Sequence, residues 1–298
     1  MKFLVRIILM SMLFSFVNQS FAQEAKNVFS TKVGDCEVTL LSDGQGKGKV
    51  GLLIGTTASM LEKYAPDGTF PMAFNAFLVK TPGKNILIDT GSGAKLFDNL
   101  ASINVKPSEI DAILITHMHG DHIGGLLRDG KAAFPNAELY IALPEYDYWV
   151  SSGTAKQLDE GRKAGFEQAR KTIDAYKDRL KLFEPSSLNG KKELIPFVTA
   201  ISAYGHTPGH TIYMLSSKGN RMLFWGDLTH AMAIQMPYPK VALTYDISPK
   251  KAIESRKKVL DYVCKNNIQI AGMHIPYPGM GTIKSEGTGY LFEDIKKP

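Results

Sequence analysis

The chain has 298 residues, 44% hydrophobic and 21% charged, a balance that excludes an intrinsically disordered protein and leaves enough apolar material for a large core. Its formal net charge is +6, from 35 Lys and Arg against 29 Asp and Glu. The basic residues are scattered, as in Lys191-Lys192 and Arg256-Lys257-Lys258, and read as solvated helix faces, so no nucleic-acid partner is expected.

The first residues carry Lys2 and Arg6, an apolar run from Ile7 to Val17, and Ser20-Phe21-Ala22 before Gln23, the pattern of a secretory signal peptide over residues 1–22. Its removal takes away those two basic residues and no acid, so +6 becomes +4 and the mature chain is only mildly basic. No later stretch approaches the roughly 20 apolar residues of a membrane-spanning helix, so no stable membrane insertion is expected after cleavage. The expected location is periplasmic or secreted. There an exported protein can oxidise Cys36 and Cys264, the only two cysteines, although two buried thiols fit the sequence equally well.

In chain order, Cys36 to Ser42 reads as a strand, turned over by Asp43-Gly44-Gln45-Gly46. Residues Gly48 to Phe74 read as an extended loop with a short helix near Ser59 to Lys63, in which Met60, Phe70 and Met72 could wall a pocket. Phe74–Lys80 and Asn85–Asp89 form a hairpin across Thr81-Pro82-Gly83-Lys84. A buried Asp89 at that strand end accepts turn amides or supports a metal-ligating histidine. A helix over Ala94–Ile103, a short helix from Pro107 and a strand over Ala112–Ile115 follow.

That strand runs into Thr116-His117-Met118-His119-Gly120-Asp121-His122. Three of the seven histidines in the chain fall within six residues, which reads as a metal site at a strand end. If this segment is extended, His117, His119 and Asp121 project to one side and His122 to another, enough for two metals.

Further on, a strand at Glu138–Ala142 leads to a helix from Pro144, an amphipathic helix spans Leu158–Tyr176, and a strand covers Val198–Ala203. After it comes Gly205-His206-Thr207-Pro208-Gly209-His210, where His210 is expected to be a buried hydrogen-bonded residue. Strands at Thr211–Leu215 and Met222–Trp225 flank a turn at Ser217–Asn220, and the second hands over to Gly226-Asp227-Leu228-Thr229-His230. A helix over Pro249–Val263 and a strand at Ile268–Ala271 end in Gly272-Met273-His274. Four strands thus each end in His or Asp beside glycine. No linker divides residues 23–298, which read as one α/β domain with two sheets inside and helices outside.

The segment His117–His122, with His206, Trp225-Gly226-Asp227 and His274, resembles the metallo-β-lactamase superfamily. Leu114-Ile115-Thr116-His117 and the end Met273-His274-Ile275-Pro276-Tyr277-Pro278-Gly279 look like its secreted methyl parathion hydrolase group, with the acyl-homoserine lactone lactonases more distant. The resemblance implies a four-layer αββα sandwich. It also implies that His117, His119 and His206 bind one metal, Asp121, His122 and His274 a second, and that Asp227 bridges them.

Imidazoles and carboxylates without thiolate suit two Zn²⁺ per chain and tolerate Fe or Mn. Such a pair acidifies a bridging water toward neutrality, giving a hydroxide nucleophile with no catalytic serine or cysteine. Asp121 and Asp227 are expected to hold geometry and pass a proton, and His230, where the lactonases have an assisting tyrosine, to lie near the substrate. The superfamily's β-lactamases carry Cys or Ser in place of Asp227, which argues against β-lactams as main substrates. An iron-dependent oxidoreductase and a non-catalytic metal-binding protein remain as alternatives.

The leading expectation is an ester, lactone or phosphotriester hydrolase for a small-molecule substrate, with a homodimer left open. Phe70, Phe74, Tyr146, Trp149, Met232, Tyr238 and Tyr277 are the expected apolar wall of the pocket.

Overall fold

Alternating apolar side chains build two sheets that face one another. The computed structural model describes residues 27–151, 153 and 160–295. The predicted signal peptide and positions 158 and 159 of the predicted Leu158–Tyr176 helix lie outside the described residues. The first sheet runs in chain order: β1 (Val28–Val33), β2 (Cys36–Lys49), β3 (Thr69–Thr81), β4 (Lys84–Ile88), β5 (Ala112–Leu114), β6 (Glu138–Ala142) and β7 (Leu180–Phe183). The second contains β8 (Val198–Ser202), β9 (Thr211–Ser217), β10 (Asn220–Phe224), β11 (Gln269–Ala271), β12 (Met280–Glu286) and β13 (Gly289–Asp294). The helices are α1 (Ala58–Tyr64), α2 (Leu96–Ser102), α3 (Gly120–Ile123), α4 (Leu143–Val150), α5 (Glu160–Tyr176), α6 (Met232–Gln235) and α7 (Pro249–Lys265).

Leu40, Phe77, Val79, Ile86 and Ile88 of the first sheet meet Tyr213, Leu215, Met222 and Phe224 of the second in the central layer. Their neighbours Leu41, Leu78 and Leu87 point the other way, onto Leu96 and Leu100 of α2 and Phe166, Ala169 and Ile173 of α5. On the far side Ile212, Met214, Leu223 and Ile270 pack on Val259, Leu260 and Val263 of α7. Adjacent residues serving opposite faces is what a pleat of period two requires, and the result is the expected αββα sandwich. Each fully buried side chain of this kind contributes about 1.5–3 kcal/mol, so the layers, and not the loops, supply the rigidity on which the site rests.

Several local expectations are corrected. Asp43-Gly44-Gln45-Gly46 is not a turn: β2 continues to Lys49 paired with β3, and only the register slips between Ser42 and Gly44. The slip lets the Asp43 carboxylate turn inward to accept from the Lys95 N–H and the Ser92 hydroxyl. The predicted loop before Phe74 is shorter than read, since β3 begins at Thr69, and its helix α1 is capped by the Thr57 hydroxyl. Cys36 and Cys264 are both free. Cys36 sits in the central layer and Cys264 on the outer face of the second sheet, so a strand layer separates them. Among the described residues no helix is long and apolar enough to cross a membrane.

Candidate metal centre

β4, β5, β6 and β7 are mutually parallel, as are β10 and β11. The C-terminal ends of such strands are where α/β sheets place their sites. The loop after β5 carries His117, His119, Asp121 and His122; the loop after β8 carries His206; Gly226–His230 follows β10 and His274 follows β11. All seven histidines of the chain gather at this edge.

They form two groups around one carboxylate. His117 Nε2, His119 Nδ1 and His206 Nε2 face each other, with 2.8 Å between the first two and 3.0 Å between the last two. Asp227 Oδ2 lies 3.0 Å from His206 Nε2 and 3.6 Å from His117 Nε2. The other oxygen, Oδ1, lies 3.0 Å from His122 Nε2 and 3.1 Å from His274 Nε2. Asp121 Oδ2 completes that second group at 3.8 Å from His122 and 3.6 Å from His274. The extended alternation predicted for this loop is corrected: residues 120–123 make one helical turn, which swings Asp121 away from His117 and His119 and onto the side of His122.

The rings are oriented from behind. Asp89 receives His122 Nδ1 at 2.7 Å while its carboxylate also accepts the Thr116 N–H and hydroxyl. It holds a positive φ of 55°, a conformation that asparagine and aspartate tolerate better than most residues. Asp246 receives His206 Nδ1 at 2.9 Å, and the Ala73 carbonyl receives His274 Nδ1 at 2.8 Å. His210 is, as expected, a hydrogen-bonded support: its Nδ1 meets the Ala203 carbonyl and its Nε2 accepts the Asp227 N–H at 3.0 Å. Gly226, with φ of 54°, leaves the room that His210 fills, since a side chain there would collide with the ring.

Burial pulls the Asp227 pKa up, but the imidazoles of His122 and His274 outweigh it, and the carboxyl sits well below its ordinary range. Burial opposes charge on every ring. His117 falls well below its usual value and His119 to about 3, whereas carboxylate neighbours lift His206 to about 9 and raise His122 and His274. His122 Nε2, His274 Nε2 and Asp227 Oδ1 are buried without a hydrogen bond although they lie within 3.1 Å in two pairs. Buried polar atoms left this close together without a bond are rare. A set of imidazoles and carboxylates of this kind fits a divalent cation.

A cavity of about 340 Å³ opens over both groups, lined by His119, Asp121, His206, Asp227, His230 and His274 with Leu52, Met72, Phe74 and Tyr245. His230 reaches Asp227 Oδ2 with Nε2 at 2.9 Å, stacks on His274 at 4.4 Å, and leaves a buried Nδ1 without a partner. Phe74 and Met72 are in the wall as predicted, but the rest of the predicted wall is corrected. Phe70 is buried with Leu53 and Ile234, and Met60 and Tyr238 pack against the same cluster. Tyr146 and Trp149 belong to the core under the first sheet, Met232 to that under the second, and Tyr277 packs on Phe29. Each large side chain filled the nearest layer instead of the cavity. Sequence reasoning missed Asp246 and Glu145, which look like ordinary acids beside helices, and missed Leu52 and Tyr245, which stand in no periodic pattern.

The model of the metallo-beta-lactamase superfamily matches residues 71–263, and the chain belongs to that superfamily. Among solved structures, a hydrolase of the beta lactamase superfamily, AbOPH, is 32% identical with a TM-score of 0.83, over 91% of this chain and 98% of that one. AidC, a dizinc quorum-quenching lactonase solved with the product N-hexanoyl-L-homoserine, is 28% identical with the same TM-score and the same coverage. Among curated proteins, the exodeoxyribonuclease WalJ of Streptococcus pneumoniae is 53% identical over 101 residues, 32% of this chain. That match spans only 35% of the length of WalJ.

Proposed function

We propose that the chain is an exported metal-dependent hydrolase that holds two divalent cations, zinc by its donor set, and cleaves an ester, lactone or phosphotriester bond in a small neutral molecule. One observation carries the reading: the two oxygens of Asp227 face two different groups of imidazoles. His117, His119 and His206 with Oδ2 would hold one cation, and Asp121, His122 and His274 with Oδ1 the other. The bound pair supplies Lewis-acid polarisation of the scissile group and acidification of water.

The remaining tasks fall to the chain itself. Asp121, whose side chain is 32% exposed, is the carboxylate open to the cavity and takes a proton from entering water. His230 Nε2 steadies Asp227, and its Nδ1 is left to hydrogen-bond a polar atom of the substrate. Leu52, Met72 and Phe74 exclude bulk water. Among the described residues, no Lys or Arg lines the cavity, which favours neutral substrates over a nucleic acid, whose phosphates call for cationic side chains. The composition of residues 1–22 supports export.

The test is metal analysis of the purified mature protein together with assays on aryl esters, lactones, phosphotriesters and β-lactams. Two cations per chain and turnover of a neutral substrate are expected. An Asp227→Ala variant that has lost its cations and still hydrolyses at the native rate refutes the reading.

A further inference from the structure

Glu145 stands in the first turn of α4, 1% exposed, and takes part in neither group of facing atoms. Its Oε1 accepts the Met118 N–H at 2.9 Å and the Trp149 Nε1–H at 2.6 Å; its Oε2 accepts the Thr207 hydroxyl at 2.6 Å and the Gly209 N–H at 3.0 Å. Three of these donors are N–H groups that cannot reverse, so the position requires an acceptor-only carboxylate. Burying a carboxylate is costly unless its oxygens are satisfied, and here four donors satisfy them.

The donors are not scattered. Met118 lies between His117 and His119, and Thr207 and Gly209 follow His206. One side chain therefore ties together the two loops that supply all three imidazoles of the first group. Gly209 lets the second loop lie directly against α4, where a Cβ would run into the Glu145 backbone nitrogen. The rings of the second group are braced elsewhere, His122 by Asp89 and His274 by the Ala73 carbonyl.

The geometry points to Glu145 as the positioning residue for the His117–His119–His206 half of the centre, setting the affinity of that half for a divalent cation without contacting cation or substrate. This rests on the two-cation reading above. Beside the Thr211 N–H donated to the Thr116 carbonyl at 2.9 Å, the Glu145 carboxylate fixes the separation of the two loops next to His117, His119 and His206, and a metal site tolerates little error in ligand separation.

The test uses the full-length mature protein loaded with Co²⁺ or Zn²⁺ and equilibrated with graded chelator, reading cations per chain and the Co²⁺ visible spectrum. Glu145→Gln keeps the shape but turns an amide NH₂ toward two donors. It is expected to weaken one of two cations by about 10–100-fold, the range for losing an outer support of a metal ligand, while the other keeps its native affinity. Should that variant fail to fold, Thr207→Val is expected to weaken the same cation, Thr207→Ser to restore it, and Trp149→Phe, which leaves both loop bonds in place, to retain two. Native affinity for both cations in Glu145→Gln and Thr207→Val, or equal weakening of both, overturns the inference. A wild-type chain that binds fewer than two cations overturns the two-cation reading and this inference with it.

Discussion

Asp246 receives His206 Nδ1 on one oxygen at 2.9 Å and accepts the Leu243 N–H on the other at 2.9 Å, so the ring that closes the first group is fixed by a residue forty positions further along the chain. Asp89 does the same for His122 in the second group. Such carboxylate–imidazole pairs set both the tautomer and the basicity of a ligand.

Asp246→Asn should therefore lower the affinity for one cation by about 10–100-fold, and Asp89→Asn should act on the other. Chelator competition with each variant measures this. Loss of the same cation in both variants would show that the two supports do not serve separate halves.

The pH dependence of the cation-free fold follows from the rings. His206 is raised to about 9, and His122 and His274 are raised too, so their contribution is fully present below the unfolded value near 6.5 and is lost as pH rises through the folded values. His119 and His210 at about 3 and His230 at about 4 are lowered, since burial disfavours their charged form. They cost stability as pH falls below 6.5. The melting temperature of the chelated protein should peak near pH 6.5 and fall toward pH 9. With cations bound, protons compete for the same nitrogens, so the maximum should move to higher pH. A chelated protein whose melting temperature climbs steadily from pH 6.5 to 9 contradicts this account.

Tyr245 lines the cavity yet is 56% exposed, two residues before the exposed Ile247. Tyr245→Ala should raise KM for apolar substrates by about 3–10-fold with little change in kcat, the signature of binding that is equal in ground and transition states. Steady-state kinetics on a short- and a long-chain ester distinguish the effect, which should be larger for the longer chain.

Arg256 is 1% exposed and donates to the carbonyls of Leu228, Pro239 and Val241. Arg256→Met should destabilise the fold by about 3 kcal/mol, since the Leu228 and Pro239 carbonyls lose this donor while Val241 keeps the Gln235 amide, and each buried carbonyl left without a donor costs about 1–3 kcal/mol. Denaturant unfolding reads the change directly, and a midpoint within error of the wild type would show that the carbonyls find other partners.

The layers and the cluster of imidazoles and carboxylates were legible because both have strong local signatures. Runs such as Phe77 to Lys80 and Ile86 to Ile88 alternate or saturate with apolar residues, and each facing imidazole or carboxylate follows a strand in a short segment that carries a glycine. What lay hidden depended on distance in the chain. Three of the four donors that Glu145 gathers are 27 to 64 residues away, and the fourth, Trp149, reads as an ordinary helix neighbour. Extended alternation would set Asp121 beside His117 and His119, whereas the resemblance groups it with His122 and His274, and the helical turn is what brings its carboxylate to that side. β2 was cut short because glycine usually ends a strand, whereas here Gly44 and Gly46 stay in the ladder beyond a register slip. The cavity wall escaped because a large apolar side chain on the sequence gives no sign of which layer it will fill.

The facing imidazoles and carboxylates come from strand ends embedded in the sandwich, whereas Leu52 arrives on a separate excursion of the chain between β2 and β3, and Met72 stands in β3 just after it. The parts that do chemistry and much of the part that chooses the guest are thus carried on different stretches. Residues 50–68 can lengthen, shorten or change character while the strand ends stay where they are, which makes this excursion the place to retarget the enzyme by grafting.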